Sequence, residues 1–313
     1  MVEITKYFFL LFMIDITHKQ ISLRTATAVG KVLCSQETLK RIKENTLPKG
    51  DLFNIAKAAG LLASKNTHNL IPHCHPVSVD GMEITYEYHP DGVEIRVLGK
   101  SIGRTGIEME VLTACSVAAL TIYDLLKPID KNMEITSLKL TGKTGGKSEA
   151  KKDIDETLTT AILVCSDSTA AGKRKDNSGV IIRETLEGMK VKVNDYKIIP
   201  DNPDEIKKAV QEWVDQDIAF IFTTGGTGLG PRDNTVDTIR SIIDRDASGI
   251  TETMRMHGVM RTSHAMLSRA VAGTKNNSVI VTLPGSTRGA KESLDAILPG
   301  LFHARKMILG GGH

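Results

Sequence analysis

The chain has 313 residues, 41% of them hydrophobic and 25% charged, which is the balance of a soluble globular protein long enough for two domains, each with its own core. Its formal net charge of +3 is spread through mixed-sign stretches. That pattern excludes the dense basic surface a nucleic-acid partner needs and leaves room only for local basic pockets that take small anions.

The apolar run at residues 7–14 is far shorter than the roughly 20 residues that span a bilayer, and no small-residue cleavage site follows it. No membrane partner is expected, and residues 1–12 read as a strand or an extension ahead of the domain. Met1-Val2-Glu3-Ile4-Thr5 and Met13-Ile14-Asp15-Ile16-Thr17 are near copies, so Met13 is a plausible alternative start. Patterning then predicts a strand over 24–32, a helix over 51–65, strands over 82–88 and 93–98, a helix over 106–126 and a strand over 133–140. This order implies an α+β domain, ferredoxin-like, with helices on one face of an antiparallel sheet. Residues 147–157 are charged and poor in large apolar side chains, which marks a linker. The expected boundaries are 13–148 for the first domain, 149–158 for the linker and 159–313 for the second domain.

Beyond the linker, strands are predicted over 160–165, 191–199, 218–222 and 278–283. Helices are predicted over 179–189, 204–214, 235–243 and 250–256, with one closing helix over 289–308. Alternation of this kind implies a three-layer α/β domain with a mostly parallel sheet. Ligands of such sheets gather at strand C-terminal ends, here at Ser166-Asp167-Ser168, Pro200-Asp201-Asn202, the segment 223–233 and Pro284-Gly285-Ser286. Segment 223–233 carries Thr224, Gly225, Gly226, Thr227, Gly228, Arg232 and Asp233. Its glycines let backbone N–H groups approach an anion and its threonines add donors, while Arg232 and Asp233 place a cation and an anion together. Such a loop suits a nucleotide and its Mg²⁺. It has neither the Gly-Lys-Ser/Thr ending nor the dinucleotide spacing of the common phosphate motifs, and taken alone it also fits a tight turn that needs glycine only for positive φ.

The first half carries its polar residues in clusters: Lys49-Gly50-Asp51, His73-Cys74-His75-Pro76, Glu108-Met109-Glu110, Asp124 with Lys127, and Gly145-Gly146-Lys147-Ser148. Asp124 and Lys127 share a helical face and perturb each other's pKa values; a weak surface ion pair is the plainer reading of that spacing. His73 and His75 point one way from an extended segment, but two ligands with Cys74 facing away make a poor zinc site. The four cysteines, Cys34, Cys74, Cys115 and Cys165, form no Cys-x-x-Cys pair, which fits reduced thiols in a cytoplasm and no disulfides.

Residues 159–313 resemble the molybdopterin adenylyltransferase family (MogA/MoaB-like) through Ser166-Asp167, Asp176-x-Ser178-Gly179, Pro200-Asp201, the 223–233 loop and Leu283-Pro284-Gly285-Ser286. The resemblance implies transfer of AMP from Mg-ATP to molybdopterin with pyrophosphate leaving. Asp201 and Asp233 match that family's essential aspartates, which would hold Mg²⁺. Ser166, Asp167, Thr224, Gly225, Gly226, Thr227, Gly228, Arg232, Pro284, Gly285 and Ser286 match its substrate-binding positions.

Residues 13–148 resemble cyclic pyranopterin monophosphate synthase (MoaC-like) through Lys49-Gly50-Asp51, Asn69-Leu70-Ile71-Pro72 with Cys74-His75-Pro76, Thr105 to Glu110, Ile122-Tyr123-Asp124 and Gly145 to Ser148. The implied reaction rearranges a cyclised GTP intermediate to cyclic pyranopterin monophosphate, releasing pyrophosphate, with no cofactor. Asp124 and Lys127 match its acid/base pair, and Lys49, His75 and Lys147 its catalytic positions. Arg24, Lys65, Cys74, Glu108 and Glu110 match supporting positions. The sequence departs from that family's pattern at Asn66 and His73.

Together these resemblances imply a fused bifunctional enzyme of molybdenum cofactor biosynthesis that handles pterin and purine nucleotide substrates. They also imply homo-oligomers, a hexamer for the first domain and a trimer for the second. A second domain that keeps its fold as a pterin-binding scaffold without adenylyl transfer is the alternative.

Overall fold

A computed structural model describes residues 13–146, 154 and 158–311. Contacts divide the chain into two compact units that meet at Gly146 and Lys147. Residues 1–12, most of the expected linker and Lys147 lie outside the described residues.

The first unit runs β1 (Ser22–Leu33), α1 (Gln36–Lys43), α2 (Leu52–Lys65), a single turn α3 (Thr67–Leu70), β2 (Gly81–His89), β3 (Gly92–Gly103), α4 (Glu108–Leu126) and β4 (Glu134–Thr144). Its strands order as β2-β3-β1-β4, with each neighbouring pair antiparallel. Along β3 the pattern alternates: Val93, Ile95 and Val97 are buried while Arg96 and Lys100 are exposed. One face of the sheet therefore carries the core. Against it lies α4, whose Val111, Ala114, Cys115, Ala118 and Ile122 recur at helical spacing and are fully buried. This helix is long and apolar enough to cross a membrane by length and composition, and the apolar stripe it lays on the sheet accounts for that composition. Gly60 lets α2 come close to α4: a Cβ there would sit 3.0 Å from the carbonyl oxygen of Ala114.

The second unit runs β5 (Thr160–Cys165), a single turn α5 (Asp167–Ala170), α6 (Ser178–Gly188), β6 (Val193–Ile199), α7 (Pro203–Asp215), β7 (Phe220–Thr224), α8 (Thr235–Arg240), β8 (Arg245–Asp246), α9 (Ser248–Val259), β9 (Ala272–Lys275), β10 (Ser278–Leu283), α10 (Thr287–Ile297) and α11 (His303–Ile308). Its strands order as β6-β5-β7-β10-β9-β8. The first four are parallel; β9 and β8 add an antiparallel edge. Alternate residues of one strand feed two different cores, as Ile162 and Val164 pack with Ile182 and Leu186 of α6 while Ala161 and Leu163 pack with Ile206, Val210 and Trp213 of α7. Burial on both faces explains why β5 and β10 read as unbroken apolar runs.

The closing helix expected over 289–308 is two helices, α10 and α11, joined by a short 3-10 turn at Gly300–Phe302. Pro299 has no N–H to continue the helical ladder and its ring pushes the preceding residue out of the α region; Leu298 sits at φ −92°, ψ 145°. The strand expected over 218–222 is shifted to Phe220–Thr224, which carries it up to the first glycine of the loop. Helix α1 and the strands β8 and β9 have no counterpart among the elements the sequence predicts, since each is short and only partly apolar.

Trp213 is fully buried, and its indole N–H donates to Asp195 Oδ2 at 2.7 Å. Trp213→Ala is expected to destabilise the second unit by about 3–5 kcal/mol through loss of the ring and the cavity left behind, measured as a lower urea midpoint by far-UV circular dichroism. An unchanged midpoint would show that α7 is not packed as described.

Candidate active sites

The parallel order of β6, β5, β7 and β10 brings the loops at their C-terminal ends together. Two glycines set the geometry of the loop after β7. Gly225 has φ +97° and Gly226 φ +57°, values that L side chains rarely adopt. A side chain at Gly225 would also collide with the carbonyl oxygen of Cys165, and one at Gly226 with the Asp201 carboxylate and the Thr235 hydroxyl. The glycine loop is thereby seated directly against Asp201. Asp201 Oδ1 accepts from Thr235 Oγ1 at 3.0 Å and Oδ2 from the Asn234 N–H at 3.2 Å. Its own N–H donates to Asp167 Oδ1 at 3.1 Å. Thr224 Oγ1 donates to the Pro284 carbonyl at 2.9 Å, joining the glycine loop to the loop after β10.

Burial pushes the Asp201 carboxyl above its ordinary value of 3.8, and the nearby charges of Asp233 and Asp167 act in the same direction, against the hydrogen bonds from Thr235 and Asn234. Asp233 closes its own turn, with Oδ2 accepting from the Gly230 N–H at 2.7 Å. Asp233 thus caps its own turn with one oxygen, and among the described residues the other carboxylate oxygen accepts no hydrogen bond. Ser166 and Ser286 are the N-cap residues of α5 and α10.

A cavity of about 470 Å³ is lined by Ser166, Asp167, Asp201, Thr224, Gly225, Gly226, Arg232, Asp233, Gly285 and Ser286, all expected from the sequence. It is also lined by Arg174, Lys175 and Asp176. Of these only Asp176 stands in a sequence motif, and the sequence assigns a role to none of them. Thr227, Gly228 and Pro284 do not line this cavity. They line a neighbouring one of about 430 Å³ with Met254, Arg255, Leu267 and Arg288, and Ser286 lines both. The turn at Gly226 and the bond from the Arg269 N–H to the Thr227 carbonyl at 3.2 Å carry the second part of the loop toward α9.

In the first unit, Lys49, Asp124 and Lys127 form one cluster. Lys127 Nζ lies 2.7 Å from Asp124 Oδ1 and Lys49 Nζ 3.6 Å from Oδ2, and Lys49 also donates to the Asp124 backbone carbonyl at 3.2 Å. The bond from Lys127 and the charge of both lysines hold the Asp124 carboxyl below its ordinary value, while Asp124 raises the Lys127 ammonium pKa. All three side chains are exposed.

Glu108 and Glu110 sit in the first turn of the same helix, α4. Sixteen residues at 1.5 Å each separate Glu108 from Asp124, about 24 Å along the axis. Glu108 is 3.3 Å from Lys143 Nζ. Glu110 is only 2% exposed, among the described residues its Oε2 has no hydrogen-bond partner, and burial raises its pKa. Burial also raises the Cys74 thiol, helped by the charge of Glu110, so these two are neighbours. Arg24 Nε donates to the Gly103 carbonyl at 3.3 Å, at the end of β3 that leads into α4. Lys65 is exposed in the last turn of α2, and His75 is half-buried in the extended segment after α3. Lys49 and Lys127 therefore gather with Asp124 at the last turn of α4, and Glu108 and Glu110 stand at its first turn.

Residues 13–146 match the MoaC family, and residues 161–303 match the probable molybdopterin binding domain. Over 301 residues the chain is 44% identical to a molybdenum cofactor biosynthesis bifunctional protein of Chlorobaculum tepidum, covering 96% of each. The chain belongs to the bifunctional molybdenum cofactor biosynthesis proteins. Its first domain is 50% identical over 137 residues to a cyclic pyranopterin monophosphate synthase of Desulfitobacterium hafniense, covering 44% of this chain and 84% of that one. Its second domain is 42% identical to the molybdopterin biosynthesis enzyme MoaB of Thermus thermophilus, at a TM-score of 0.47, covering 49% of this chain and 98% of that structure.

In this bifunctional chain the donor set around Asp201 fits a hard divalent cation. Each Asp201 oxygen has one protein donor, which leaves further lone pairs, and a second carboxylate, Asp233, is close enough to disfavour its ionisation. Because the Asp201 pKa is raised, the carboxylate takes up its proton at a higher pH than an ordinary aspartate, and a cation that needs the ionised form loses to that proton. Affinity for Mg²⁺ with nucleotide should therefore fall on acidification while the pH is still above 3.8. Titration calorimetry across that range should show the acid limb for the intact chain and not for Asp201→Asn. An identical limb in both would remove Asp201 from the cation site.

Proposed function

We propose that the first domain converts the cyclised GTP intermediate to cyclic pyranopterin monophosphate with release of pyrophosphate, and that the second adenylates molybdopterin with Mg-ATP. The proposed domains are 13–148 and 159–313, with 1–12 as an extension and 149–158 as a linker. The βαββαβ order of the first unit and its β2-β3-β1-β4 sheet support a ferredoxin-like assignment. The four cysteines are free, in keeping with a cytoplasmic protein.

The adenylation reading is carried by the seating of Asp201 against the glycine loop. An oxygen of the molybdopterin phosphate attacks the α-phosphorus of ATP; a P–O bond forms there, the bond from the α-phosphorus to the bridging oxygen breaks, and the electron pair leaves on pyrophosphate. This chemistry needs in-line positioning and neutralised charge more than proton transfer. Gly225 and Gly226 line the cavity proposed for the phosphates, and Ser286 stands where the two cavities adjoin, which suits two substrates meeting at one loop. Magnesium bound by Asp201 and Asp233 would supply charge neutralisation at the phosphates. Asp233→Asn should abolish adenylated molybdopterin formation while leaving the circular dichroism spectrum unchanged. Product from the variant would take Asp233 out of the mechanism. Tight pterin binding without product from the intact chain would make the second domain a scaffold.

In the first domain, Asp124 keeps Lys127 protonated and remains ionised itself, which makes one a proton donor and the other an acceptor in a single contact. Lys49, Lys65, His75 and Lys147 would bind the anionic substrate around them. Arg24, Cys74, Glu108 and Glu110 belong to the same proposed site. The roughly 24 Å between the ends of α4 is more than one small substrate spans within a protomer, which supports a site assembled from two copies. A hexamer built from dimers for the first domain and trimers for the second fit this requirement. Mixing inactive Arg24→Ala and Lys127→Ala chains, with subunit exchange, should restore about a quarter of the intact activity if copies pair at random. No recovery in verified mixed oligomers would place the whole site in one copy.

A further inference from the structure

The segment between α5 and α6 contributes no residue to the adenylation steps derived so far, yet it supplies two cations to the nucleotide cavity. Arg174 and Lys175 both line that cavity, and among the described residues neither side chain has an ion-pair or hydrogen-bond partner, although Asp167, Asp176, Asp201 and Asp233 line the same space. Both side chains are exposed, where pairing with a carboxylate is worth little. The backbone that carries them is fixed at both ends.

At the first end, the N–H groups of Lys173 and Arg174 both donate to the Ser168 carbonyl, at 2.9 and 3.2 Å. At the second end, Asp176 Oδ1 accepts from the Gly179 N–H at 2.8 Å and from Ser178 Oγ at 3.4 Å, and its other oxygen accepts from the Tyr196 hydroxyl. Tyr196 lies on β6, and the Arg183 guanidinium sits 5.1 Å from its ring centroid. A side chain at Gly179 would collide with the Tyr196 hydroxyl and stand 2.5 Å from Asp176 Oδ2. The Asp176 carboxylate is therefore committed to the backbone and to β6, and is not free to neutralise its neighbours Arg174 and Lys175.

Resting on the adenylation reading, we infer that Arg174 and Lys175 bind the β- and γ-phosphates of the nucleotide, with Asp176 and Tyr196 as positioning residues that hold them there. During adenylyl transfer, negative charge grows on the bridging oxygen as the α-phosphorus bond breaks, and it departs on pyrophosphate. Two unpaired cations, one of them a guanidinium suited to bidentate phosphate contact, neutralise that charge where it develops. They come from a different loop than Asp201, Asp233 and the glycines, so the leaving group and the reacting phosphorus are held by separate parts of the fold.

The test compares a Mg²⁺ complex of α,β-methylene-ATP with AMP as probes, by calorimetry on the full chain. Arg174→Ala/Lys175→Ala should weaken α,β-methylene-ATP by about tenfold or more and leave AMP within about twofold, and should lower kcat for adenylation as well as raise KM for ATP. Asp176→Ala should reproduce that split, and Asp176→Asn, which keeps an acceptor for the Gly179 N–H, should recover most of it. A purely structural role would lower stability without separating the two probes. Equal loss of both probes, no loss of either, or no binding by the intact chain would overturn the proposal. Should the intact chain make no adenylated product, the adenylation reading fails alone, and the comparison of probes still decides the phosphate site. Cyclic pyranopterin monophosphate formation by every variant should remain at the intact level.

Discussion

The absence of a side chain at two consecutive residues, Gly225 and Gly226, is the constraint on which the second domain's site depends. β7 ends at Thr224 beneath the carbonyl of Cys165, and only glycine fits the turn that follows. Because Gly226 adds no bulk, Asp201 reaches across from the β6 loop and takes donors from Asn234 and Thr235, at the start of α8. Those two bonds offset part of what burying a carboxylate costs, and the remainder shows as its raised pKa. A carboxylate left in that condition is poised for a cation, since binding one removes the penalty that burial imposes. Local backbone freedom, burial and chemistry are here successive consequences of the same two residues.

The first domain is governed by a different element, the rigid rod α4. Its buried stripe fixes it on the sheet, and its length fixes the spacing of everything at its ends. Glu108 and Glu110 share the first turn, Asp124 the last, and no side-chain rearrangement closes a gap of about 24 Å. Burial divides the two ends as well. Lys49, Asp124 and Lys127 form an exposed triad, whereas Glu110 is buried with an unpartnered oxygen. Unpaired buried carboxylates are costly, and burial accordingly holds the Glu110 carboxyl above its ordinary value.

Much of this is legible in the sequence, for reasons that differ by element. The strands β5 and β10 can be read to the residue because a sheet covered on both faces demands a continuous apolar run with abrupt ends. Helix α4 is equally plain, since its apolar residues recur at helical spacing over nineteen positions. The closing helix misleads because its hydrophobic period continues through Leu298-Pro299, and the local effect of proline outweighs that period. The small edge strands owe their existence to pairing, β9 with β10 and β8 with β9, rather than to their own composition. Such tertiary dependence leaves no local signal. At the site, the spacing Asp124 to Lys127 places both on one helical face, but Lys49 joins them only through the fold, and it is matched by resemblance rather than by any periodicity.

Arg174 and Lys175 show the limit of reading by residue type most clearly. In the sequence they belong to the run Lys173 to Lys175, which reads as a solvated loop like many others. Their significance lies in what they fail to contact, and an unmade ion pair is a property of three-dimensional placement alone. Asp176 is their neighbour in the chain and the obvious partner for either, yet its oxygens are occupied by Gly179, Ser178 and Tyr196. A carboxylate accepting several such bonds is held in one orientation and has less to offer an exposed cation, for which surface pairing is weak in any case. The same three bonds, one of them from a first-turn N–H of α6, therefore keep two positive charges available, and the cavity they border is the one where the second domain's carboxylates and glycines converge.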